Sequence, residues 1–542
     1  MATRAALDKN DLRERNPSHD TISSDLPDDI LQHIFSFLPF KSIVQTTLLS
    51  KHWKHLCLWR SHPHLDFSLP SPEPGKRPRL SQELFRLVRR PSVGPHLVSP
   101  ALHHALQARF HHKLLSKATE FIPDVLSRRD QGSNITTFRL FCHVSYSCLR
   151  DCIDRVMHHG IEELELDVYV ESGFNLTPGL FNCNTLRVLK LNHQDKHPVR
   201  KNSDHVPKKV GSQMSLVFWY GNGHFNYPTS TGLPSVHTLC LTNVHFKYGS
   251  NLFSGEKFPL LRKLCLKTCR GMHDLNINCP GLEILEFDGL GLHGLDSLDI
   301  SCIGLLELQV TGCFRDDSTA KIFAPSLRRF YWGESVNVIC TMESFEYLNT
   351  GSVYFRSKPE NPKKPQSAAT FISALCFARS LSVRSQVLEI LSKGGLPYSF
   401  NNLTTLELQT DLKKYQITGI LCFLNSSPML HTIIIGVDCL KNADNEILDA
   451  SRYWRSQSPN LKSTIERHLK VARIDIGGTR VSKSVIYLVK FLLRCETALQ
   501  EMTLTLKNDL ADPPLRRQRI RSKIKKFAPP SCNVIVSFLP QN

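Results

Sequence analysis

The residues of this chain whose types and spacing could do chemistry fall into three groups. The first is the glycine stretch GLGLHG, Gly289–Gly294. It has the G-x-G-x-x-G spacing that brings backbone N–H groups close to a pyrophosphate, and it follows the strand-like LEILEFD. That use also needs a helix to open at the glycines. The segment that follows, LDSLDISC, alternates like a strand and is too short for a crossover helix, so these glycines are expected at a turn. The second group is thiols. Cys148 and Cys152 are four apart, as are Cys265 and Cys269, but there is no C-x-x-C pair and no matching histidine spacing for a tetrahedral metal site. The third is histidine: the adjacent pairs His103–His104, His111–His112 and His158–His159 point different ways on a helix and read as structural or solvated. The chain has no phosphate-loop sequence, no G-x-S-x-G elbow and no H-E-x-x-H helix. No catalytic residue, metal or cofactor is expected, which leaves the chemistry of binding.

A binding surface needs elements to hold it. At 542 residues the chain is too long for one compact core, so two or more domains or a repeat array must carry it. Its apolar fraction of 41% is ordinary and predicts that most of it folds. No run of eighteen or more apolar residues would span a membrane, and the charged start MATRAALDKNDLRERNPSHD has no apolar segment of the secretory kind. Seventeen cysteines in such a chain read as reduced thiols, many of them buried as small hydrophobes. The formal charge of +18 is spread along the sequence, with only GKRPRL at 75–80 and RRQRIRSKIKK at 516–526 as clusters, so nucleic acid is not the expected partner. GKRPRL reads as a solvated loop or a nuclear import signal, and localisation stays open between nucleus and cytoplasm.

Residues 1–22 read as a disordered leader. From Ser24 the character changes. Ser24 or Asp25 can cap a helix, Pro27 suits its first turn, and Asp28 and Asp29 complement its dipole. Ile30, Leu31, Ile34, Phe35 and Leu38 then fall at helical spacing until Pro39. A second short helix is expected over Lys41–Leu49 and a third from Ser50, carrying Trp53, Leu56 and Trp59. Three short helices in so few residues are close to the lower limit for a core, and leave large apolar side chains for a partner. A Pro-, Ser- and Lys/Arg-containing linker and a helical connection are expected over 67–130.

Beyond 130 one unit recurs, apolar-x-x-apolar-x-apolar. Counting from Ile135, it returns at Ile161, Leu186, Val236, Leu261, Leu282, Ile303 and Leu327, at steps of 26, 25, 50, 25, 21, 21 and 24. A sustained period in the twenties with L-x-x-L-x-L is the leucine-rich-repeat pattern, in which each repeat adds one short strand to a stacked solenoid. The triplets Met272–Leu275–Ile277 and Leu295–Leu298–Ile300 fall between the main ones and predict extended return segments. Ile372–Leu375–Phe377, Leu403–Leu406–Leu408 and Leu430–Ile433–Ile435 continue the array irregularly. A final strand–helix–strand–helix stretch, with Val485, Leu488, Val489 and Leu492 inward on one helix and Ile520, Ile524 and Phe527 on one side of the other, is expected to close the open end.

With these residues in place, LPDDILQHIFSFLPFKSIVQTTLLSKHWKHL resembles an F-box: Leu26–Pro27, Ile30, Ile34, Leu38–Pro39, Val44, Ser50 and Trp53 match its pattern. With the repeats, CPGLEILEF at 279–287 and the segments of 469–504, nearly the whole chain resembles the plant F-box/FBD/LRR-repeat family, although no acidic residue follows the glycine turn in GGTRVSKSV. The resemblance implies an α/β fold: an N-terminal three-helix F-box over 23–66, a leucine-rich-repeat solenoid over 131–440 and an FBD-like mixed α/β cap over 441–542. It also implies a non-catalytic substrate receptor of a Skp–cullin–F-box ubiquitin ligase. Leu26, Pro27, Ile30, Leu31, Ile34, Leu38 and Pro39 would then contact the Skp adaptor, with Val44, Leu48 and Trp53, and the adaptor would bring in the cullin. The target protein would sit on the strand-lined face, where period-two alternation holds Glu165, Lys190, Lys267, Glu286 and Gln309 outward. The overall basic charge would favour an acidic target. The alternative is a repeat scaffold with no ligase role.

Overall fold

The computed structural model describes residues 27–46, 60–68, 122–170, 174–193, 225–227, 232–246, 252–290, 294–335, 337–342, 345–355, 371–396, 398–438, 468–477, 481, 483–494, 499–508 and 514–540. The leader at 1–22, the third helix with Trp53, the GKRPRL cluster, the degenerate repeat near 211–218 and most of the 67–130 connection lie outside the described residues. The chain divides into two compact units, Met1–Cys142 with Arg155–Glu162, and His143–Asp154 with Glu163–Asn542.

In the first unit a helix spans Asp28–Ser36 and a second Phe40–Thr46. Pro27 is itself the N-cap of the first, with φ −55°, rather than lying in its first turn, and its carbonyl accepts from the Ile30 and Leu31 N–H groups. Proline loses nothing there, because the cap's own N–H has no helical partner. The strand His64–Ser68 pairs in parallel with Thr137–His143, whose Ile135, Phe138 and Leu140 set is buried as the spacing predicts. Phe40 joins helix to strands: its ring lies 5.2 Å from that of Phe67, which lies 5.8 Å from that of Phe138. Beneath them Arg129 is buried and donates to the His62 carbonyl at 2.9 Å and the Asn134 carbonyl at 3.2 Å.

The second unit is the repeat array. Its parallel sheet runs from Glu163–Tyr169 through Val188–His193, Thr238–Thr242, Lys263–Lys267, Ile284–Asp288, Glu307–Thr311, Arg329–Glu334 and Thr350–Phe355. It continues through Ser380–Arg384, Thr405–Thr410, Thr432–Val437, Val471–Ile476 and Glu501–Asn508 to Asn533–Pro540. Register puts one buried row through Leu164, Leu189, Leu239, Leu264, Leu285 and Leu308, and a second through Leu166, Leu191, Leu241, Leu266, Phe287 and Val310. Identical spacing in every repeat is what lets these rows align, and each repeat covers the apolar edge of the one before it.

Three readings are corrected by this register. The unit placed at Ile303–Leu306–Leu308 is Leu305–Leu308–Val310, because Ile303 is exposed while Leu305 pins the turn, and the uneven period evens out accordingly. Residues 371–377 are helix and turn; the strand is Ser380–Arg384, with Leu381 and Val383 inward. The repeat before it, Thr350–Phe355, escaped notice because Gly351 occupies the leucine position, packed against a Leu381 methyl that a Cβ there would approach to 3.0 Å.

The return segments differ along the array. Those between Phe253 and Met342 are strands: Phe253–Ser254, Asp274–Asn278, Leu295–Ser301, Phe314–Phe323 and Ile339–Met342 form a second parallel sheet, two of them at the predicted extra triplets. Later ones are helices, Ser385–Gly394, Lys414–Ser426, Lys483–Arg494 and Pro514–Lys525. Val485, Leu488, Val489 and Leu492 are buried on the third of these and Ile524 on the fourth, with Ile520 and Phe527 half-buried.

Candidate functional site

Two surfaces concentrate the side chains that sequence pattern singled out. On the first unit, the Asp28–Ser36 helix has two apolar faces. Leu31 and Phe35 point inward with Phe40 and Ile43. Ile30 and Ile34, one turn apart, are 47% and 44% exposed, and the turn that follows leaves Phe37 75% and Leu38 37% exposed. Pro27 and Pro39 are exposed at either end. Pro27, Ile30, Ile34, Leu38 and Pro39 are thus all open to solvent. The structure turns Leu31, at 2% exposure, into the interior, where it supports the helix rather than touching a partner. Leu26, Leu48 and Trp53 lie outside the described residues, as does the side chain of Val44. Phe37 is the residue that sequence reading missed. Its signal was available, a large aromatic residue just before the second Leu-Pro with no place on the buried face.

On the second unit, the outward rows of the parallel sheet line the other surface. Glu165, Lys190, Cys240, Cys265, Glu286, Gln309 and Tyr331 follow one another in register. Lys267 is one row over, level with Thr242 and Asp288. Of the five side chains predicted there, Glu165 and Lys190 pair with each other at 3.5 Å. Glu286 is the hub of a second group, 2.7 Å from Lys263 Nζ and 3.8 Å from Lys267 Nζ, and it accepts from the Cys265 thiol at 3.4 Å. Burial pushes its carboxyl up, but the Lys263 and Cys265 hydrogen bonds and the two lysine charges together outweigh this and hold it below the usual range. Lys263 and the two cysteines were not foreseen; strand alternation gives them the same outward direction as Glu286.

Further along the same face a polar cleft of about 460 Å³ is lined by Tyr331, Ser352, Tyr354, Ser382, Arg384, Glu407, Gln409 and Asp438. The Arg384 guanidinium lies 4.5 Å from the Tyr354 ring centroid. Gln409 donates to Asp438 at 2.7 Å, lying across Gly436, where a Cβ would strike its amide. Across the three outward rows from Glu163 to Ser537 there are nine carboxylates and six cations. The +18 of the whole chain is therefore not carried by this face, and the expectation of an acidic target loses its basis here.

Of the glycine motif, residues 291–293 lie outside the described residues. Gly289 and Gly294 have φ of +62° and +69°, and Gly294 is followed directly by the Leu295–Ser301 strand, so no helix N-terminus is offered to a pyrophosphate. Cys265 and Cys269 do not converge: Cys269 is buried and donates to the Leu241 carbonyl at 3.3 Å. Among the described residues no three His, Cys, Asp or Glu side chains are grouped to hold a metal ion, and no helix is long and apolar enough to cross a membrane.

Residues 212–536 match the family described as At1g61320/AtMIF1, LRR domain. The chain belongs to this leucine-rich-repeat family. Residues 23–64 match the F-box domain, so this F-box/LRR protein carries its exposed helix face within the matched segment. An Arabidopsis thaliana F-box/FBD/LRR-repeat protein, At4g03220, is 28% identical over 95% of each chain. The Arabidopsis F-box/LRR-repeat protein At3g59190 is 22% identical over 77% of this chain and 92% of its own. Among solved structures, a chain of the TLR13–ssRNA13 complex is similar at 12% identity and a TM-score of 0.33, covering 71% of this chain and 54% of that one. The F-box and the repeats on which the resemblance rests are thus each matched by a family model.

Proposed function

We propose that this protein is the non-catalytic, target-binding subunit of a Skp–cullin–F-box ubiquitin ligase. The observation that carries the reading is the solvent-facing apolar set Ile30, Ile34, Phe37 and Leu38 on an F-box helix whose opposite face is already buried. Four large apolar side chains left in water by so short a segment are a docking surface for an apolar partner. In an F-box that partner is a Skp-type adaptor, and through it a cullin. The strand face of the solenoid holds the target, with the Arg384–Glu407 cleft as a polar recess within it. Ubiquitin transfer then belongs to another subunit, and this chain contributes effective concentration by holding the target near it.

A face with more carboxylates than cations suits a protein target better than a phosphate backbone. The test is capture of the full chain by purified Skp adaptor. Ile34→Glu and Phe37→Asp should each lower adaptor affinity at least tenfold with unchanged circular dichroism. Gln309→Arg, on the strand face, should leave it unaltered. Full-strength binding by both F-box variants would sink the docking surface, and no binding by folded wild type would sink the ligase reading.

A further inference from the structure

Two thiols on the strand face are unlike the other described cysteines. Cys240 and Cys265 are level with one another on adjacent parallel strands and both face the outward row. In-register parallel neighbours are about 4.8 Å apart, inside the Cα separation of about 4.4–6.8 Å that a disulfide spans. Cys240 is half-exposed and Cys265 is buried. The charged groups facing them from both sides are Lys190 on one neighbouring strand, Lys263 and Lys267 on the strand of Cys265, and Glu286 on the strand beyond.

This arrangement separates the two sulfurs electrostatically. The Cys265 thiol's hydrogen bond, followed by the Lys263 and Lys190 charges, outweighs burial and Glu286 to bring Cys240 down to about 7. Cys265 is pushed up, first by that same bond to Cys240, then by burial and the Cys240 and Glu286 charges, against Lys267; the bond and the Cys240 charge end once Cys240 is oxidised. The Cys265 sulfur lies 3.4 Å from Glu286 Oε2, so its one proton is shared between that carboxylate and the Cys240 sulfur. At Cys269, Cys279 and Cys340 burial is the first cause and pushes the thiols up to about 12. Cys148 is also lowered, by a hydrogen bond from Cys152, but there burial and Asp151 oppose it and no lysine assists.

We infer that Cys240 is a nucleophilic site for hydrogen peroxide, with Cys265 as its resolving thiol. The Cys240 thiolate attacks a peroxide oxygen, the O–O bond breaks, and hydroxide leaves to take a proton, giving a sulfenic acid. Cys265 then attacks the Cys240 sulfur and the S–O bond breaks. The Cys265 proton joins the departing hydroxide as water, leaving a Cys240–Cys265 disulfide. Two thiols are oxidised, and one peroxide is reduced to two waters. The cross-link would sit between Lys190 and Glu286, within the surface assigned to the target.

The experiment treats the full-length protein with hydrogen peroxide and maps its thiols by mass spectrometry. The expected product is a Cys240–Cys265 disulfide that dithiothreitol reverses. Cys265→Ser should instead accumulate a sulfenic acid at Cys240 that dimedone traps, and in Cys240→Ser the Cys265 thiol should stay reduced. Without oxidant, iodoacetamide should alkylate Cys240 with a midpoint near pH 7, and Lys190→Met should raise that midpoint. The inference is overturned if Cys240 stays reduced while other thiols oxidise, if it pairs with another cysteine, or if its midpoint is that of an ordinary thiol at about 8.5. Circular dichroism of each variant confirms that the comparison is between folded proteins.

Discussion

His62 is a buried imidazole stacked 6.2 Å from the Phe40 ring, so it belongs to the seam between the F-box helices and the His64–Ser68 strand. Its Nε2 has no hydrogen-bond partner among the described residues. Burial, and then the His64 and Arg129 charges, bring it from the ordinary 6.5 down to about 4, so it is neutral in the folded protein. The unfolded chain takes up the proton first as pH falls. The stability that neutral His62 provides is therefore complete above pH 6.5 and is lost as pH drops towards 4, by about 3 kcal/mol in all. Hydrogen exchange of the His64–Ser68 amides should show the wild type weakening between pH 7 and 4.5. His62→Gln should show a much smaller change over that interval; equal acid sensitivity in both would refute the assignment. Leu31 and Ile34 make a related point on one helix. Both are apolar at helical spacing, but Leu31→Ala should cost about 2–5 kcal/mol of stability through the cavity it leaves, whereas Ile34→Ala, at an exposed side chain, should cost far less. Periodicity alone does not tell two apolar faces apart, and burial does.

Among the elements, the helices Ser385–Gly394 and Lys414–Ser426 show how a single small residue sets a packing distance. A Cβ on Gly419 would overlap the Leu388 carbonyl oxygen and come within 2.6 Å of its Cα, all of it backbone that cannot swing aside. Glycine in a helix interior ordinarily costs about 1 kcal/mol relative to alanine. Here the sign reverses: Gly419→Ala should destabilise the solenoid by about 1–3 kcal/mol, read as a lower urea midpoint, because the helices must separate. A higher midpoint would show that the seam has room to spare. The same helix is tied at its start by buried Gln416, which accepts from the Thr410 hydroxyl at 2.8 Å and the Asp411 N–H at 2.9 Å and donates to Glu389 at 2.8 Å. Such an anchor is invisible in sequence, since its partners come from a strand end, a turn and a second helix.

At the scale of the whole molecule, the stretch expected to close the solenoid adds strands to it. Ile433 pairs with Ala472, Ala472 with Met502 and Met502 with Val534, continuing the first buried row without a break. In a linear array each repeat is stabilised by its neighbours. Ending the chain at Asp438 should therefore uncover the Thr432–Val437 edge, and size-exclusion chromatography should show aggregates rather than a monomer. A monodisperse, folded product would instead mark residues 468–540 as a separable module.

The sequence by itself determined the repeat period, the buried rows and the outward direction of Glu165, Lys190, Glu286 and Gln309, because strand alternation and a fixed repeat are one-dimensional rules. It also identified the F-box from the spacing of Leu-Pro pairs and apolar residues. The tertiary structure decided what depends on neighbours from distant repeats. It placed Leu31 inside and Phe37 outside, put Leu305 rather than Ile303 at the start of its repeat, and brought Cys240 beside Cys265 between two lysines. It also showed that the strand face is richer in carboxylates than in cations although the chain is basic. Composition sums charge over every residue, whereas a partner meets only the face that folding turns towards it.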